Sequence, residues 1–560
     1  MKLSNRFCVG ILLVSLATST GCKKGDGTTT TPPPPPTVLA ISNTQLDYTT
    51  ASTASINYNV RPGASIRFSF TNAVKRSTVA AAVSLLENGT TAVPVNFSYE
   101  KNDSVVVLTS SAPLKYLSRY TATAGSSLQS VNNGSLTSQG SISLQTQIDS
   151  SRKFPALTDN QLLDLVQKQT FKYFWDFGHP ISGLARERNT SGDVVTSGGS
   201  GFGIMAIVTA VDRGFITRAQ GLARLQIMIG FLKNTAQTFH GAFPHWLNGA
   251  SGIVIPFSTK DNGADLVETS FLVQGLLCAR QYFSNAGDEA TLRADINIIC
   301  NRVEWDWFRN GNQNVLYWHW SPNYNWEMNL PIKGWNECLV TYVLAASSTT
   351  HAVPASVYNS GWKSASGYTN GATYFSYQLP LGPPSGGPLF FSHYSFLGIN
   401  PNGLTDASVN YATQTKNHTL INYSYSRVNP RNYFGYSDSV WGLTASDIPT
   451  GYTASSPTND VGVIAPTAAL ASFPYTPAES MAALKFYYYV LGDKLWKEYG
   501  FVDAFSLHNL WFASSTLAID QGPIIVMIEN YRSGLLWNLF TSCPEVKTGM
   551  QTLGFTAPYL

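Results

Sequence analysis

The sequence predicts two domains of different class, a small β-sandwich followed by an all-helical toroid built from helix hairpins. Residues 38–147 alternate apolar and polar positions in short runs between Asn, Gly and Pro turns, as half-buried strands do. After Phe154 the apolar period becomes that of amphipathic helices. The links between these helices alternate between short and long, which places the long loops on one face of a ring. A chain of 560 residues has room for both domains.

Residues 1–21 have the pattern of a lipoprotein signal peptide. Lys2 and Arg6 precede an apolar stretch, and Ser19-Thr20-Gly21-Cys22 ends it. We predict an exported lipoprotein of the outer membrane, facing either the periplasm or the cell surface, in which acyl chains on Cys22 anchor the protein to the membrane. Ser19 stands where a lipobox normally has an aliphatic residue, so a plain signal peptide cleaved elsewhere is the alternative.

Residues 22–37 form a Pro/Thr-rich linker, because a Thr run and the prolines 32–36 favour an extended chain. The following segment, 38–147, contains predicted strands at 66–70 and 105–108, then Pro113-Leu114 and Tyr120-Thr121-Ala122. With these features it resembles a bacterial immunoglobulin-like (Ig-like) domain. It contains no Trp, which favours a spacer over a glycan-binding module.

The helical part begins with a capping box at Thr158-Asp159-Asn160-Gln161. Further helices are predicted at about 201–213, 217–238, 265–284, 289–309, 335–350, 463–472, 477–499 and 522–540. The loops 239–264 and 311–334 are long, and 363–460 is a large insertion on the same face. Loops of this length in a compact domain are usually functional, so we expect a ligand groove on this face, called the groove face below.

Composition limits the classes of partner. The net charge is +3, only 12% of residues are charged, and Lys and Arg are scattered, which argues against nucleic acid. The cysteines that follow Cys22 match no zinc motif, and three of them, Cys278, Cys300 and Cys338, lie in apolar helical patterns as buried thiols do. We therefore predict neither a metal nor another cofactor. We also expect the protein to be a monomer.

The chain has 13 Trp, all after residue 170, more than a core of this size needs. Aromatic clusters at 243–246, 317–320 and 390–394 lie on the predicted groove face, where flat rings offer faces to the C–H faces of sugars. The predicted substrate-binding residues are Arg186, Arg188, His245, Trp246, Asp265, Trp318, His319, Trp320, Glu337, His393, Tyr394 and Trp441.

Glycoside hydrolysis needs two carboxyl groups, one protonated and one ionised. Glu268 and Glu337 each lie in the first turn of a helix after a long loop, although the helix dipole also favours acids there. Glu187 lies between two arginines, which would hold it ionised, and Asp447 closes the long insertion. Asp503 is a weaker candidate, since it fits a helix cap.

Other enzyme classes find no support in the sequence. It has no nucleophile elbow, zinc-binding His-Glu-x-x-His helix or phosphate-binding loop. Gly201-Phe202-Gly203 lacks the strand that a dinucleotide site requires, so these glycines indicate close helix packing instead.

Ten ordered segments resemble the glucoamylase-like helical domain that includes the endo-β-1,2-glucanases of glycoside hydrolase family 144. Those segments are SGLARERN, GGSGFGIMAIVTAVDRG, HGAFPHWLNG, DLVETSFLVQGLL, YWHWSPNY, GWNECLVTYVLAASS, GGPLFFSHYSFLGINP, GYSDSVWGLTASD, PYTPAES and IDQGPIIVMIENYRSGLLWNLF. The resemblance covers 154–560 and implies an (α/α)6 barrel, internal cleavage of β-1,2-glucan with inversion, and no metal cofactor. It places the acidic pocket residues on Glu187, Glu268 and Asp447.

We predict Glu268 as the general acid and Asp447 as the base, with Glu187 as the alternative base. Two other functions stay open. One is an exo-acting β-glucan hydrolase that releases a disaccharide, and the other is a non-catalytic lipoprotein that binds glycans at the cell surface.

Overall fold

The computed structural model describes residues 34–560, so the predicted signal peptide and Cys22 lie outside the described residues. The described chain divides into two compact units, one reaching to Thr146 and the other running from Gln147 to Leu560, with Tyr116–Ser118 belonging to the second. Among residues 34–560, no helix combines the length and apolar character needed to cross a membrane.

The first unit is the predicted β-sandwich, with two five-stranded sheets in the orders β2-β1-β4-β8-β7 and β3-β10-β9-β5-β6. Its elements are β1 Ile41–Leu46, β2 Thr49–Thr50, β3 Asn57–Val60, β4 Ile66–Phe70, α1 Arg76–Ala82, β5 Val83–Glu87, β6 Thr91–Ala92, β7 Val95–Glu100, β8 Val105–Ser110, β9 Arg119–Ala124 and β10 Gly140–Thr146. Strands β4 and β8 pair antiparallel with Phe68 opposite Val106. Both side chains are fully buried, together with Leu85 and Ala122 of the other sheet, so one apolar core joins the sheets.

The second unit is mainly helical. Its helices are α2 Asp159–Trp175, α3 Ser197–Asp212, α4 Arg218–Asn234, α5 Leu266–Tyr282, α6 Asp288–Asn301, α7 Leu339–Ser347, α8 Tyr411–Val428, α9 Pro466–Leu470, α10 Pro477–Lys485, α11 Gly492–Leu495, α12 Ala518–Arg532, α13 Leu535–Thr541 and α14 Pro544–Thr552. Helix α2 begins with the predicted capping box, in which Thr158 accepts the Gln161 backbone N–H.

Several helical predictions differ from the structure. The predicted helix 289–309 ends at Asn301, and 522–540 is divided between α12 and α13. The predicted helix 477–499 is interrupted by a π-helical segment at Phe486–Val490 and ends in a short strand. Helix α8 lies inside the insertion that was predicted to be loop. Its buried side is largely hydroxyl and amide, including Thr415, Thr419 and Asn422, so it has no apolar period to reveal it.

The loops between the helices contain short strands that pair with one another. They are β11 Val194–Thr196, β12 Trp246–Asn248, β13 Val254–Ile255, β14 Ala264–Asp265, β15 Leu316–Tyr317, β16 His319–Trp320, β17 Pro331–Ile332, β18 Thr373–Tyr374, β19 Tyr377–Gln378, β20 Ala445–Ile448, β21 Gly451–Ala454, β22 Trp496–Lys497, β23 Gly500–Phe501, β24 Phe505–Ser506 and β25 Trp511–Phe512. Strands β11, β12 and β13 form one sheet, and β14 pairs with β16. Strand β11 leads directly into α3, and β14 leads into α5.

Helix α3 packs against α5 and α12, and its contact with α5 depends on glycine. A Cβ on Gly201 would lie 2.2 Å from the Phe271 carbonyl oxygen, and one on Gly275 would lie 2.2 Å from the Gly201 carbonyl oxygen. The predicted close packing at Gly201 is therefore confirmed. It brings the N-terminal ends of α3 and α5 side by side, where the candidate site lies.

Candidate active site

Glu268 lies in the first turn of α5 and is only 5% exposed. The preceding Asp265 caps the helix, its carboxylate accepting the backbone N–H groups of Val267 at 3.0 Å and Glu268 at 2.9 Å. Glu268 Oε2 in turn accepts the Gly198 backbone N–H at 2.8 Å and the Thr196 hydroxyl at 3.3 Å. The carboxyl group of α5 is thus held at the N-terminus of α3.

Gly198 is required by this arrangement, because a Cβ there would lie 2.4 Å from Glu268 Oε2. Sequence reasoning missed both Gly198 and Thr196. The helix was predicted to begin at about 201, whereas α3 begins at Ser197. The glycine-rich run before residue 201 was the available signal, since a glycine permits a close approach to its backbone.

Two imidazoles face the carboxylates. His245 Nδ1 lies 3.2 Å from Asp265 Oδ2, and His245 Nε2 lies 4.0 Å from Glu268 Oε1. Pairing of β14 with β16 places His319 opposite Asp265, with His319 Nδ1 at 3.6 Å from Asp265 Oδ2 and 3.3 Å from Asp261 Oδ1. Ligand atoms of His245, Asp261 and Asp265 lie within 4.8 Å of one another, so these residues could hold a metal ion.

Six side chains are together called the acid pocket below: Asp261, Asp265, Glu268, Glu337, His245 and His319. Burial raises the pKa of Glu268, and the nearby Asp265 carboxylate raises it further. Burial also raises the pKa of Glu337 to about 7. Burial alone would lower the pKa of His245, but Glu268 and Asp265 outweigh it and raise that pKa to about 9. The pocket therefore combines proton-holding carboxyl groups with a cationic imidazole.

A second group, called the arginine cluster, consists of Glu187, Arg188, Asp447, Asp503, Asp520 and Ser515. Arg188 Nε donates to Glu187 Oε2 at 2.9 Å, and an Arg188 terminal nitrogen donates to Asp447 Oδ2 at 3.1 Å. The Ser515 hydroxyl also donates to Asp447 Oδ2, at 2.5 Å. A guanidinium and a hydroxyl thus both donate hydrogen bonds to the Asp447 carboxylate.

Asp503 and Asp520 form a buried pair beneath Asp447, whose backbone N–H donates to Asp503 Oδ2 at 2.7 Å. Burial raises the pKa of Asp503 to about 6 and that of Asp520 well above its usual value. Two carboxyl groups this close share a proton more readily than they ionise together. Asp520 was missed, although it has the signal that identified Glu268, an acid in the first turn of a helix after a loop.

The acid pocket and the arginine cluster are joined through the segment that precedes α3. The Glu187 carbonyl accepts the Ala518 backbone N–H at 3.0 Å, while Thr196 of the same segment contacts Glu268. Buried Tyr394 is close enough to Glu268, Glu337 and Asp520 for their charges to raise its pKa. Burial is the larger cause of that shift. The two groups of acids therefore belong to one end of the helical unit.

The structure places the other predicted residues around this site. The Trp318 ring stacks on His319, and the Trp246 ring lies edge-on to His245. Trp320 packs instead into an aromatic cluster, 5.3 Å from the Trp307 ring centroid.

Two predicted substrate-binding residues, Trp441 and His393, require correction. Trp441 is fully buried, with its indole N–H donating to the Glu479 carbonyl, and His393 is 2% exposed beside the Ser472 hydroxyl. Both fill the core, because aromatic content does not reveal which way a ring points. The Arg186 guanidinium lies over the Phe177 ring and donates to the Phe177 carbonyl. Of the two arginines that flank Glu187 in the sequence, Arg188 is the one that pairs with the Glu187 carboxylate.

Several carboxyl groups at one end of a helical unit are the arrangement that a glycoside hydrolase requires. Residues 329–544 match the family model described as "Putative glucoamylase", and residues 42–146 match that of the bacterial Ig-like domain. The endo-β-1,2-glucanase of Chitinophaga pinensis, solved with sophorotriose and glucose, is 51% identical with a TM-score of 0.71, over 72% of this chain and 100% of that one.

A β-1,2-glucanase structure from Parabacteroides distasonis is 38% identical with a TM-score of 0.70, over 92% of this chain and 74% of that one. An exo β-1,2-glucooligosaccharide sophorohydrolase (non-reducing end) of the same organism is 46% identical over 432 residues, which are 73% of this chain. The match spans 60% of the length of that sophorohydrolase. The chain belongs to the glucoamylase-like family of glycoside hydrolases.

Proposed function

We propose that this protein hydrolyses β-1,2-glucan at internal bonds, with inversion at the anomeric carbon. The observation that carries the proposal is the buried Glu268 carboxyl, held at the α3 N-terminus beside a cationic imidazole, on the same end of the domain as an arginine-paired carboxylate. The relative from Chitinophaga pinensis, named for internal cleavage of this glucan, supports the choice of substrate.

In the proposed mechanism Glu268 is the general acid, since a raised pKa keeps a carboxyl protonated for donation to the glycosidic oxygen. Asp447 is the base, because Arg188 and Ser515 hold its carboxylate in place to take a proton from water. The water attacks the anomeric carbon from the side opposite the leaving oxygen. Glu187, paired with the same arginine, is the alternative base.

We further propose that the helices form an (α/α)6 toroid. Helix α3 packs against α12 and α5, α5 packs against α7, and α12 packs against α9, as neighbours in an inner ring would. The pairs α3 with α4, α5 with α6 and α9 with α10 then supply outer helices. The long loops would lie at the ends where α3 and α5 begin, around Glu268.

Release of a disaccharide from a chain end is the second candidate. It is favoured by the 46% identity to the sophorohydrolase. The two modes differ in products, because internal cleavage of a long glucan gives a ladder of oligosaccharides and cleavage from the end gives one disaccharide throughout.

The test is to incubate the purified protein with linear β-1,2-glucan, and separately with β-1,3-glucan and starch, and to separate the products over time. A product ladder from β-1,2-glucan alone supports internal cleavage, whereas sophorose as the sole early product supports the exo alternative. Binding without cleavage of any polymer would favour the non-catalytic glycan-binding protein. Polarimetry during the reaction distinguishes inversion from retention.

We also propose that the protein is an outer-membrane lipoprotein, on the basis of the Ser19–Cys22 pattern, and that it is a monomer. Metabolic labelling with a fatty acid tests this, since Cys22→Ser should abolish the label. Labelled Cys22→Ser protein would contradict the anchor. Light scattering of the protein without residues 1–37 measures its mass in solution and tests whether it is a monomer.

A further inference from the structure

Phe257 is an exposed aromatic residue beside the acid pocket that the proposed mechanism does not use. Its side chain is 50% exposed, although the neighbouring Asp261 and Gly263 are buried. One face of the ring is covered by His245, with ring centroids 4.3 Å apart and planes at 26°, and Trp246 contacts it at 4.9 Å and 61°. The rest of the side chain is exposed to solvent.

The position of this ring is built by the loop that carries it. Residues 256–263, called the Phe257 loop, follow β13 and close on themselves, because the Phe257 backbone N–H donates to the Asp261 carbonyl at 2.9 Å and the Asp261 N–H donates to the Ser258 carbonyl at 3.1 Å. Asn262 fixes the far end by accepting the Ser321 hydroxyl at 2.6 Å. The ring is therefore presented by a loop with defined hydrogen bonds.

The same loop reaches into the acid pocket. The Asp261 carboxylate that faces His319 at 3.3 Å belongs to the residue whose carbonyl holds the Phe257 N–H. A single imidazole, that of His245, separates the Phe257 ring from Glu268, since its Nε2 lies 4.0 Å from Glu268 Oε1. A molecule resting on the exposed side of Phe257 would therefore be separated from the proposed acid by the Phe257 and His245 rings.

We propose that Phe257 is a sugar-binding platform, on which a glucosyl unit of the glucan away from the cleaved bond stacks its C–H face. This inference rests on the proposed function. Phe carries no polar atom, so its contribution to binding is apolar contact with the flat face of the sugar. His245, the ring beneath it, is held by Asp265 and keeps the platform at a fixed distance from the acid.

The test compares Phe257→Ala with the wild type on β-1,2-glucooligosaccharides of increasing length. Loss of one aromatic contact should raise KM about 5- to 10-fold for substrates long enough to reach the platform, with kcat within about twofold. Phe257→Tyr, which keeps the ring face, should restore KM. Phe375→Ala is the matched control, because Phe375 is 39% exposed in the β18–β19 hairpin and should leave both constants unchanged.

An unchanged KM in Phe257→Ala would overturn the platform. A fall in kcat with KM unchanged would also overturn it, because the ring would then serve only to support His245. Calorimetric titration of β-1,2-glucan into Glu268→Gln, with and without Phe257→Ala, separates the two hypotheses. Binding that weakens with Phe257→Ala supports the platform even if the wild type cleaves nothing, and wild-type protein that binds no β-1,2-glucan overturns it.

Discussion

The acid pocket and the arginine cluster both gather several carboxyl groups, but they balance the charge differently. In the acid pocket the carboxyl groups face imidazoles and the backbone N–H of Gly198, and burial raises the pKa of Glu268 and Glu337. In the arginine cluster a permanently charged guanidinium bridges Glu187 and Asp447. The two environments therefore differ at the two proposed catalytic residues, because burial favours the protonated form of Glu268 whereas Asp447 is paired with a guanidinium.

The largest effect is expected from Glu268→Gln, because it removes the proton that the proposed acid donates. We expect kcat to fall by about 10² or more, the usual contribution of a general acid, with the variant still folded. In the wild type, kcat should fall as the pH rises through the pKa of Glu268. The residual kcat of Glu268→Gln should not show this fall. Steady-state kinetics across pH with circular dichroism measure both.

Glu498→Gln is the control for this substitution, since Glu498 is an exposed carboxylate and its loss should leave kcat unchanged. Near-normal turnover of Glu268→Gln would exclude Glu268 as the general acid. The acid pocket and the arginine cluster would then no longer have the separate roles of acid and base.

Asp447→Asn tests the other side of the comparison. The amide cannot accept the proton of the attacking water, so kcat should fall by about 10² while KM changes little. Glu187→Gln should have the smaller effect of the two, because Glu187 is the alternative base. The reverse order of the two kcat values would transfer the role of base to Glu187.

Glu337→Gln tests, through the pH dependence of stability, whether Glu337 in the acid pocket holds a proton. The pKa of Glu337 is raised from 4.5 to about 7, so the folded state holds this proton more tightly than the unfolded state. Wild-type stability should therefore decline as pH rises from about 4.5 to 7, by up to about 3 kcal/mol from this group. Glu337→Gln should lack that decline, and urea unfolding at pH 4.5 and pH 8 measures it. Parallel pH dependence in the two proteins would contradict the proton held by Glu337.

How much the sequence predicts depends on how local the signal is. The capping box at Thr158 marks the start of α2, because both of its partners lie within four residues of each other. Glu268 lies in the first turn of α5 as predicted, whereas Glu337 precedes α7, which begins only at Leu339. Helix α8 was missed because its buried face is polar.

The rest of the site depends on contacts between distant segments. Neither the clearance that Gly198 leaves for Glu268 nor the contact of Asp503 with the Asp447 backbone can be read from spacing. Side-chain direction is equally hidden, which is why Trp441 and His393 were assigned to substrate binding and are found in the core.

The smallest effect on activity is expected from Trp441→Phe, which separates the core from the site. The Trp441 ring is fully buried and its N–H donates to the Glu479 carbonyl at 3.3 Å. Losing ring volume and this hydrogen bond should lower the free energy of unfolding by about 1–3 kcal/mol. kcat/KM should stay within about twofold, because no sugar reaches the ring. A raised KM without loss of stability would return Trp441 to the substrate-binding residues, and Trp318→Phe, beside His319, is the comparison in which KM is expected to rise.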